Sequence, residues 1–307
     1  MEDTKVLGAT TTEFQYPDRS SIKARMGYAV HALRRSPVGL LGFALVVLVL
    51  LSATVGPAVY PLDPTEHNLR ARYKPPGFTS DQGFHVLGTD QLGRDILSRI
   101  ITGSRVSVVV GLTSVVIAGV IGVAYGLLAG FAGGWVDAIL MRTADAILGI
   151  PFIILVIAVS SVVGAGLTTL ILILGLTGWV TYARVVRGEV MVVREMDYVT
   201  AARVIGQSNL KIMVKHILPN VLSSVIVLGA LQIGTTILAE SSLSFLGLGV
   251  QPPTVTWGLM LADGRQYLGS AWWMSTFPGI AITLTVLGVV FIGDWLRDVL
   301  DPHLRGS

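Results

Sequence analysis

The sequence predicts an all-α polytopic membrane protein with six transmembrane helices, and three observations carry that prediction. Of 307 residues, 52% are hydrophobic and only 13% are charged, and the mean hydropathy is +0.71. A soluble domain carries about 25% charged residues, so lipid must be the solvent for much of this chain. Second, six separate apolar stretches approach the roughly 20 residues that a helix needs to cross a bilayer. Third, Lys and Arg concentrate in alternate connections. The 35 glycines suit helices that pack closely in lipid. Cysteine is absent, which excludes disulfides, iron–sulfur clusters and thiolate zinc sites. A formal charge of +3 gives no reason to expect a nucleic-acid partner.

In chain order, residues 1–37 form a polar leader and 38–59 the first span. Both are too long for the corresponding parts of a signal peptide, so the span is expected to be retained. Residues 60–105 make an outer loop. Its first half, with Pro61, Pro64, Pro75, Pro76 and Gly77, reads as irregular chain. From Thr89 or Asp90, either able to cap a helix, Leu92, Ile96, Leu97, Ile100 and Ile101 fall on one side. Arg94, Asp95, Ser98 and Arg99 occupy the other, so an amphipathic interfacial helix is expected.

The core, 106–300, holds spans at 106–131, about 146–163, about 167–183, 221–239 and about 276–293. The third and fourth spans of the chain form a hairpin closed by Gly164, Ala165 and Gly166. Residues 241–262 carry Gly247, Gly249, Pro252 and Pro253 and read as an irregular connection. Trp257, Tyr267, Trp272 and Trp273 then suggest an interfacial aromatic belt. Residues 301–307 are a tail.

Most basic residues fall on one side of this layout: Lys5, Arg19, Lys23, Arg25, Arg34 and Arg35 in the leader, Arg142, the connection after the fourth span, and Arg297 and Arg305 near the end. The positive-inside bias therefore places both termini in the cytoplasm.

The connection at 187–220 is the most informative stretch. Asp197 is a suitable N-cap, and Tyr198, Ala202 and Ile205 are spaced to share a helical face. Gly206 suits a helix stop. Ser208 or Asn209 can start a second short helix, which Pro219 would end or redirect. A short helix with a small-residue centre thus stands on the cytoplasmic side between two spans.

Here the sequence resembles the permeases of binding-protein-dependent ABC importers. Their motif in this loop is Glu-Ala-Ala, three residues, Gly, nine residues, Ile, one residue, Leu-Pro. Thr200-Ala201-Ala202, Gly206, His216 and Leu218-Pro219 keep the same spacing, with Thr200 in place of Glu and His216 in place of Ile. The stretches Leu87 to Asp95, Ser242 to Gly249, Trp257-Gly258 and Gly293 to Asp298 with Leu300-Asp301-Pro302 are similar to the dipeptide/oligopeptide/nickel branch, of the C type. The resemblance implies a type I importer permease fold in a bacterial inner membrane. It implies a heterodimer with a second homologous permease, two ATPase subunits that hold ATP and Mg, and an extracytoplasmic solute-binding protein. It makes the short helix a coupling helix, with Asp197, Tyr198, Thr200, Ala201, Ala202, Arg203, Ile205, Gly206, His216, Leu218 and Pro219 in the coupling loop. It also sets Ala201 and Ala202 against an ATPase surface. Peptides are the first solute expected, with nickel complexes as an alternative.

The chain has no phosphate-binding Gly-x-x-x-x-Gly-Lys-Ser/Thr loop, so no cofactor and no catalysis are expected of it alone. The five His, at 31, 67, 85, 216 and 303, lack metal-ligand spacing. A secondary transporter acting alone would call for ionisable residues inside spans. Asp145, Glu240 and Asp294 all read as near an interface. Gln232, in mid-span, and Glu240 are the candidates for a translocation path or gate; the alternative for Glu240 is an interfacial residue or one packed against another helix, and for Gln232 a bond to a neighbouring helix. A transporter acting alone and a static membrane scaffold are the alternative readings.

Overall fold

The computed structural model describes residues 30–300. Lys5, Arg19, Lys23 and Arg25 of the leader and the whole tail, with Arg305, lie outside the described residues. Helix α1, Pro37–Thr54, starts where Ser36 accepts the Gly39 N–H at 3.0 Å and Pro37 fills the first turn. It packs along the last span, where a Cβ on Gly42 would lie 2.7 Å from Phe291 Cβ.

Helix α2 runs without interruption over Ile96–Ala132 and is capped by Asp95, which accepts the Ser98 N–H at 2.7 Å. Its 37 residues make roughly 55 Å, well beyond a hydrocarbon core of about 30 Å. The expected interfacial helix is therefore the N-terminal end of the second span. Asp95, Ser98 and Arg99, expected on its solvent side, are buried.

The third span is broken. Helix α3, Gly134–Leu148, and helix α4, Phe152–Val163, meet at 82° across residues 149–151. Pro151 lacks an N–H and drives Ile150 out of helical geometry, so a continuous helix over 146–163 cannot form. Helix α5, Leu167–Val193, follows the glycine break at 164–166. Arg187 holds Asp137 of α3 through two hydrogen bonds, 2.5 and 2.6 Å, and Arg184 reaches Asp145 at 2.6 Å.

Helices α2 and α5 make the closest pairing. Gly122, Gly126 and Gly130 recur every four residues on α2, the small-residue spacing that lets helices approach in lipid. A Cβ at Gly126 would sit 2.7 Å from Val186 Cβ and 2.8 Å from the Ala183 carbonyl oxygen. The backbone there cannot yield as a flexible side chain would. Gly126→Val is therefore expected to destabilise the pair by about 3 kcal/mol and to deplete folded protein, measured by abundance and thermal stability in detergent. Gly188→Val, where nothing lies within 4 Å, is the control and should be mild. Equal stability of the two variants would refute this packing.

Helix α6, Asp197–Val204, is the short helix between spans. A helical run then covers Asn209–Phe245. Within it, a π-helical turn at Met213–Ile217 precedes helix α7, Leu218–Phe245. Pro219, expected to end or redirect the chain, sits instead in the first turn of α7. The widened turn accommodates its missing N–H. The connection expected to be irregular contains helix α8, Trp257–Gly264, and helix α9, Trp273–Leu300, completes the bundle. Trp257 and Trp273 are not a belt. Both are buried, and their indole N–H groups donate to the Ile100 and Thr89 carbonyls at 2.9 and 3.1 Å. Among the described residues, five helical runs are long and apolar enough to cross a membrane, and the count is six if the bent α3–α4 pair is one span.

The segment between α1 and α2 is a compact knot. Strands β1, Phe78–Thr79, and β2, Phe84–His85, pair antiparallel. The Asp90 carboxylate accepts the N–H groups of Leu92 (2.8 Å) and Arg94 (2.9 Å), Arg94 Nε (2.7 Å) and Arg99 Nη1 (3.0 Å). His85 bridges Asp95 at 2.9 Å and Ser80 at 2.8 Å. Gly93 turns with φ +75°, and a Cβ there would collide with the Asn68 carbonyl oxygen. Tyr60, against this knot, has its phenol pushed up to about 12, chiefly by burial and then by the Asp95 carboxylate.

Candidate coupling surface and solute path

Helix α6 has a buried and an open face. Val199 and Ala202 pack on Val186, Val190 and Val193 of α5 and on Ile212, Ile217 and Val221. Ala202 is 3% exposed, so it belongs to the chain's own core and is not available to an ATPase. Tyr198 and Ile205, expected to share its face, are exposed. Ile205 is the C-cap, one residue past the helix, and so leaves the helical spacing that the pattern assumed. Met196 is the N-cap, and Asp197 is the first helical residue with no capping bond. The phase of the helix is set by its entry from α5, and each residue turns it by about 100°. Asp197 still places its charge in the first turn, where the helix dipole favours it.

The open face presents Tyr198, Thr200, Ala201 and Arg203 together with Val204, 82% exposed, and Ile205, 73% exposed. Thr200 stands at this surface without the family's carboxylate. Gly206 closes the helix at φ +79°. Its N–H donates to Arg203 O at 3.0 Å, and that of Gln207 to Ala202 O at 3.1 Å, the paired bonds of a glycine-terminated helix end. His216 explains its own departure from the family pattern. Its Nε2 lies 2.9 Å from Gln207 Oε1, tying the end of α6 to the turn before α7. Leu218 is packed against the same core, and Pro219 is exposed. The Arg203 guanidinium stands 5.5 Å from the centroid of the Phe131 ring at the end of α2. A force on α6 therefore reaches α2, α5 and α7 through packed contacts.

Beside the 149–151 break lies a cavity of about 420 Å³, bounded by α5 and α7. Gln232 lines it with Thr177, Thr181, Thr235 and Thr236, and none of its described lining residues is ionisable. Sequence reasoning missed the threonines; their four-residue spacing on α5, Thr177 to Thr181, was the available signal. Glu240, expected near an interface on the path, is 0% exposed and does not line the cavity. It accepts from Ser244 Oγ at 2.8 Å and Ser241 Oγ at 3.3 Å, both on its own helix, and the Thr256 hydroxyl lies nearby. Thr256 also caps α8. Glu240 is thus a buried carboxyl whose oxygens are met by hydroxyls of its own helix, as burial requires. Among the described residues, no group of acidic, His or Cys side chains could hold a metal.

Five or six spans, a short helix held between two of them with an open face, and an uncharged cavity are what a membrane-embedded transport permease needs. Residues 122–306 match the family described as binding-protein-dependent transport system inner membrane component, and residues 25–76 match the N-terminal TM domain of oligopeptide transport permease C. The chain belongs to this family, the multi-pass permease subunits of ABC importers. It is 40% identical over 267 residues to a di/tripeptide transport system permease protein of Pseudomonas aeruginosa, covering 87% of this chain and 88% of the relative. It is 38% identical over 277 residues to an oligopeptide transport system permease protein of Bacillus subtilis, covering 90% and 89%. The inward-facing methionine ABC transporter MetNI shares the fold, with a TM-score of 0.54 at 20% identity over 66% of this chain and 96% of that one.

Proposed function

We propose that the chain forms half of the translocation pathway for a peptide delivered by an extracytoplasmic binding protein. Its partners are a second homologous permease, in a heterodimer, and two ATPase subunits that bind ATP and Mg. Both termini are cytoplasmic, and α6 is the helix that docks on an ATPase. The observation that carries this reading is the open face of α6, where Val204 and Ile205 are 82% and 73% exposed beside Ala201. Contiguous apolar surface on a connection outside the spans has its physical reason in a protein partner. The Lys/Arg bias supports the orientation, and the peptide relatives support the solute.

Reconstitution tests it. In proteoliposomes with the second permease, the ATPase pair and the binding protein, peptide should stimulate ATP hydrolysis and enter the lumen. The isolated chain should neither bind nor hydrolyse ATP. A tag after Ser307 should be accessible on the face that carries the ATPases. Tight ATP binding by the chain alone, or a tag on the opposite face, would overturn the assignment.

A further inference from the structure

The cavity beside the broken span carries a chemical preference that can be read from its hydrogen bonds. Thr177 Oγ1 donates to Ile173 O at 2.7 Å, and Thr235 Oγ1 donates to Gln232 O at 3.0 Å. Each hydroxyl has one proton. With that proton committed to the helix backbone, what each threonine presents is an acceptor. Gln232 adds a carboxamide whose side chain has no hydrogen-bond partner among the described residues. It extends from α7 toward α5, with Nε2 3.8 Å from where a Cβ on Gly178 would stand, so the glycine leaves this space open. Leu155 and Leu174 supply apolar wall. The volume, about 420 Å³, falls within the roughly 300–1,000 Å³ of small-ligand sites.

Thr181 and Thr236 also line the cavity, and their hydroxyls, with the Gln232 amide, can donate, so the wall offers both acceptors and donors and no charge. A hydrocarbon leaves the Gln232 carboxamide unsatisfied, and an ion finds no counter-charge. A peptide backbone offers what is missing: N–H groups for the threonine oxygens, a carbonyl for the Gln232 amide, and side chains for the leucines. We propose that Thr177, Thr235 and Gln232 form a subsite for the backbone amides of a translocating peptide, indifferent to the charge of its side chains. This rests on the function proposed above.

The test uses the full complex in proteoliposomes, with trialanine and its counterpart methylated at both peptide nitrogens. Each is supplied at a concentration that saturates the binding protein. With the unaltered chain, trialanine should enter roughly 3- to 10-fold faster, the worth of one or two hydrogen bonds. Thr177→Val, Thr235→Val and Gln232→Leu should slow trialanine and bring the two rates together. Thr177→Ser should restore the difference. The methylated pair needs no variant, so a folding defect cannot mask the result. Equal rates for both peptides in the unaltered transporter overturn the subsite but uphold peptide transport, as do variants that slow both peptides equally. Failure of any di- or tripeptide to enter overturns the proposed function and the subsite with it.

Discussion

Val204→Asp is expected to leave the permease folded and abundant while weakening its hold on the ATPase subunits by roughly thirty-fold. That factor corresponds to losing one contact of about 2 kcal/mol, the scale of an interface hot spot. Val204 is almost fully open in the chain itself, and substitutions at such positions alter folding by less than about 0.5 kcal/mol. A carboxylate in an apolar contact must be desolvated without a partner, which gives the effect its size. Ile205→Asp should behave alike. Ala202→Arg is the informative contrast. Its guanidinium would be forced among Val186, Val190 and Val199, so it should reduce abundance rather than uncouple an intact permease. Co-purification of the ATPase at matched permease levels reads the first effect, and membrane abundance reads the second. Undiminished co-purification with both Val204→Asp and Ile205→Asp would remove α6 from the docking surface.

Asp90→Ala is expected to open the segment between α1 and α2, at a cost of about 3–5 kcal/mol. The carboxylate is the shared acceptor for Arg94 and Arg99, and Arg99 is 2% exposed. Removing it strands a buried guanidinium and leaves the Leu92 and Arg94 N–H groups without their acceptor. Asp263, 3.5 Å from both arginines, is too distant and too open to replace it. Limited proteolysis around Thr79 should become fast in Asp90→Ala and stay slow in the unaltered chain. Adding Arg99→Leu should recover part of the protection, because the stranded charge goes with it. Protease resistance of Asp90→Ala equal to that of the unaltered protein would show that the knot does not depend on this carboxylate.

The same two sites mark how far the sequence could be read. The spacing of Thr200, Ala201, Ala202, Gly206 and His216 located the helix between spans, because a motif fixes distances along the chain. It left open which alanine faces inward. That depends on where the last turn of α5 hands the chain to Met196, and a one-residue error there turns the face by about 100°. The signature from Leu87 to Asp95 stood out as a pattern, but read locally it alternated like an amphipathic helix. Its acidic and basic groups instead bond one another and the distant Asp263, a contact no local window contains. The broken third span had a local signal in Gly149 and Pro151, which hydropathy averaged away.

By itself the sequence determined that this chain lives in lipid, roughly where it crosses and which transporter family it belongs to. These properties follow from composition, from residue counts matched to bilayer thickness and from motif spacing, all local along the chain. Only the tertiary structure decided that Glu240 is buried and bonded to hydroxyls of its own helix, that Ala202 lies inside and Val204 outside, and that Thr177 and Thr235 face one cavity with Gln232. Each is a matter of which helix covers which face. In lipid, apolarity no longer separates inside from outside, so close packing at small residues and the pairing of buried polar groups make that choice.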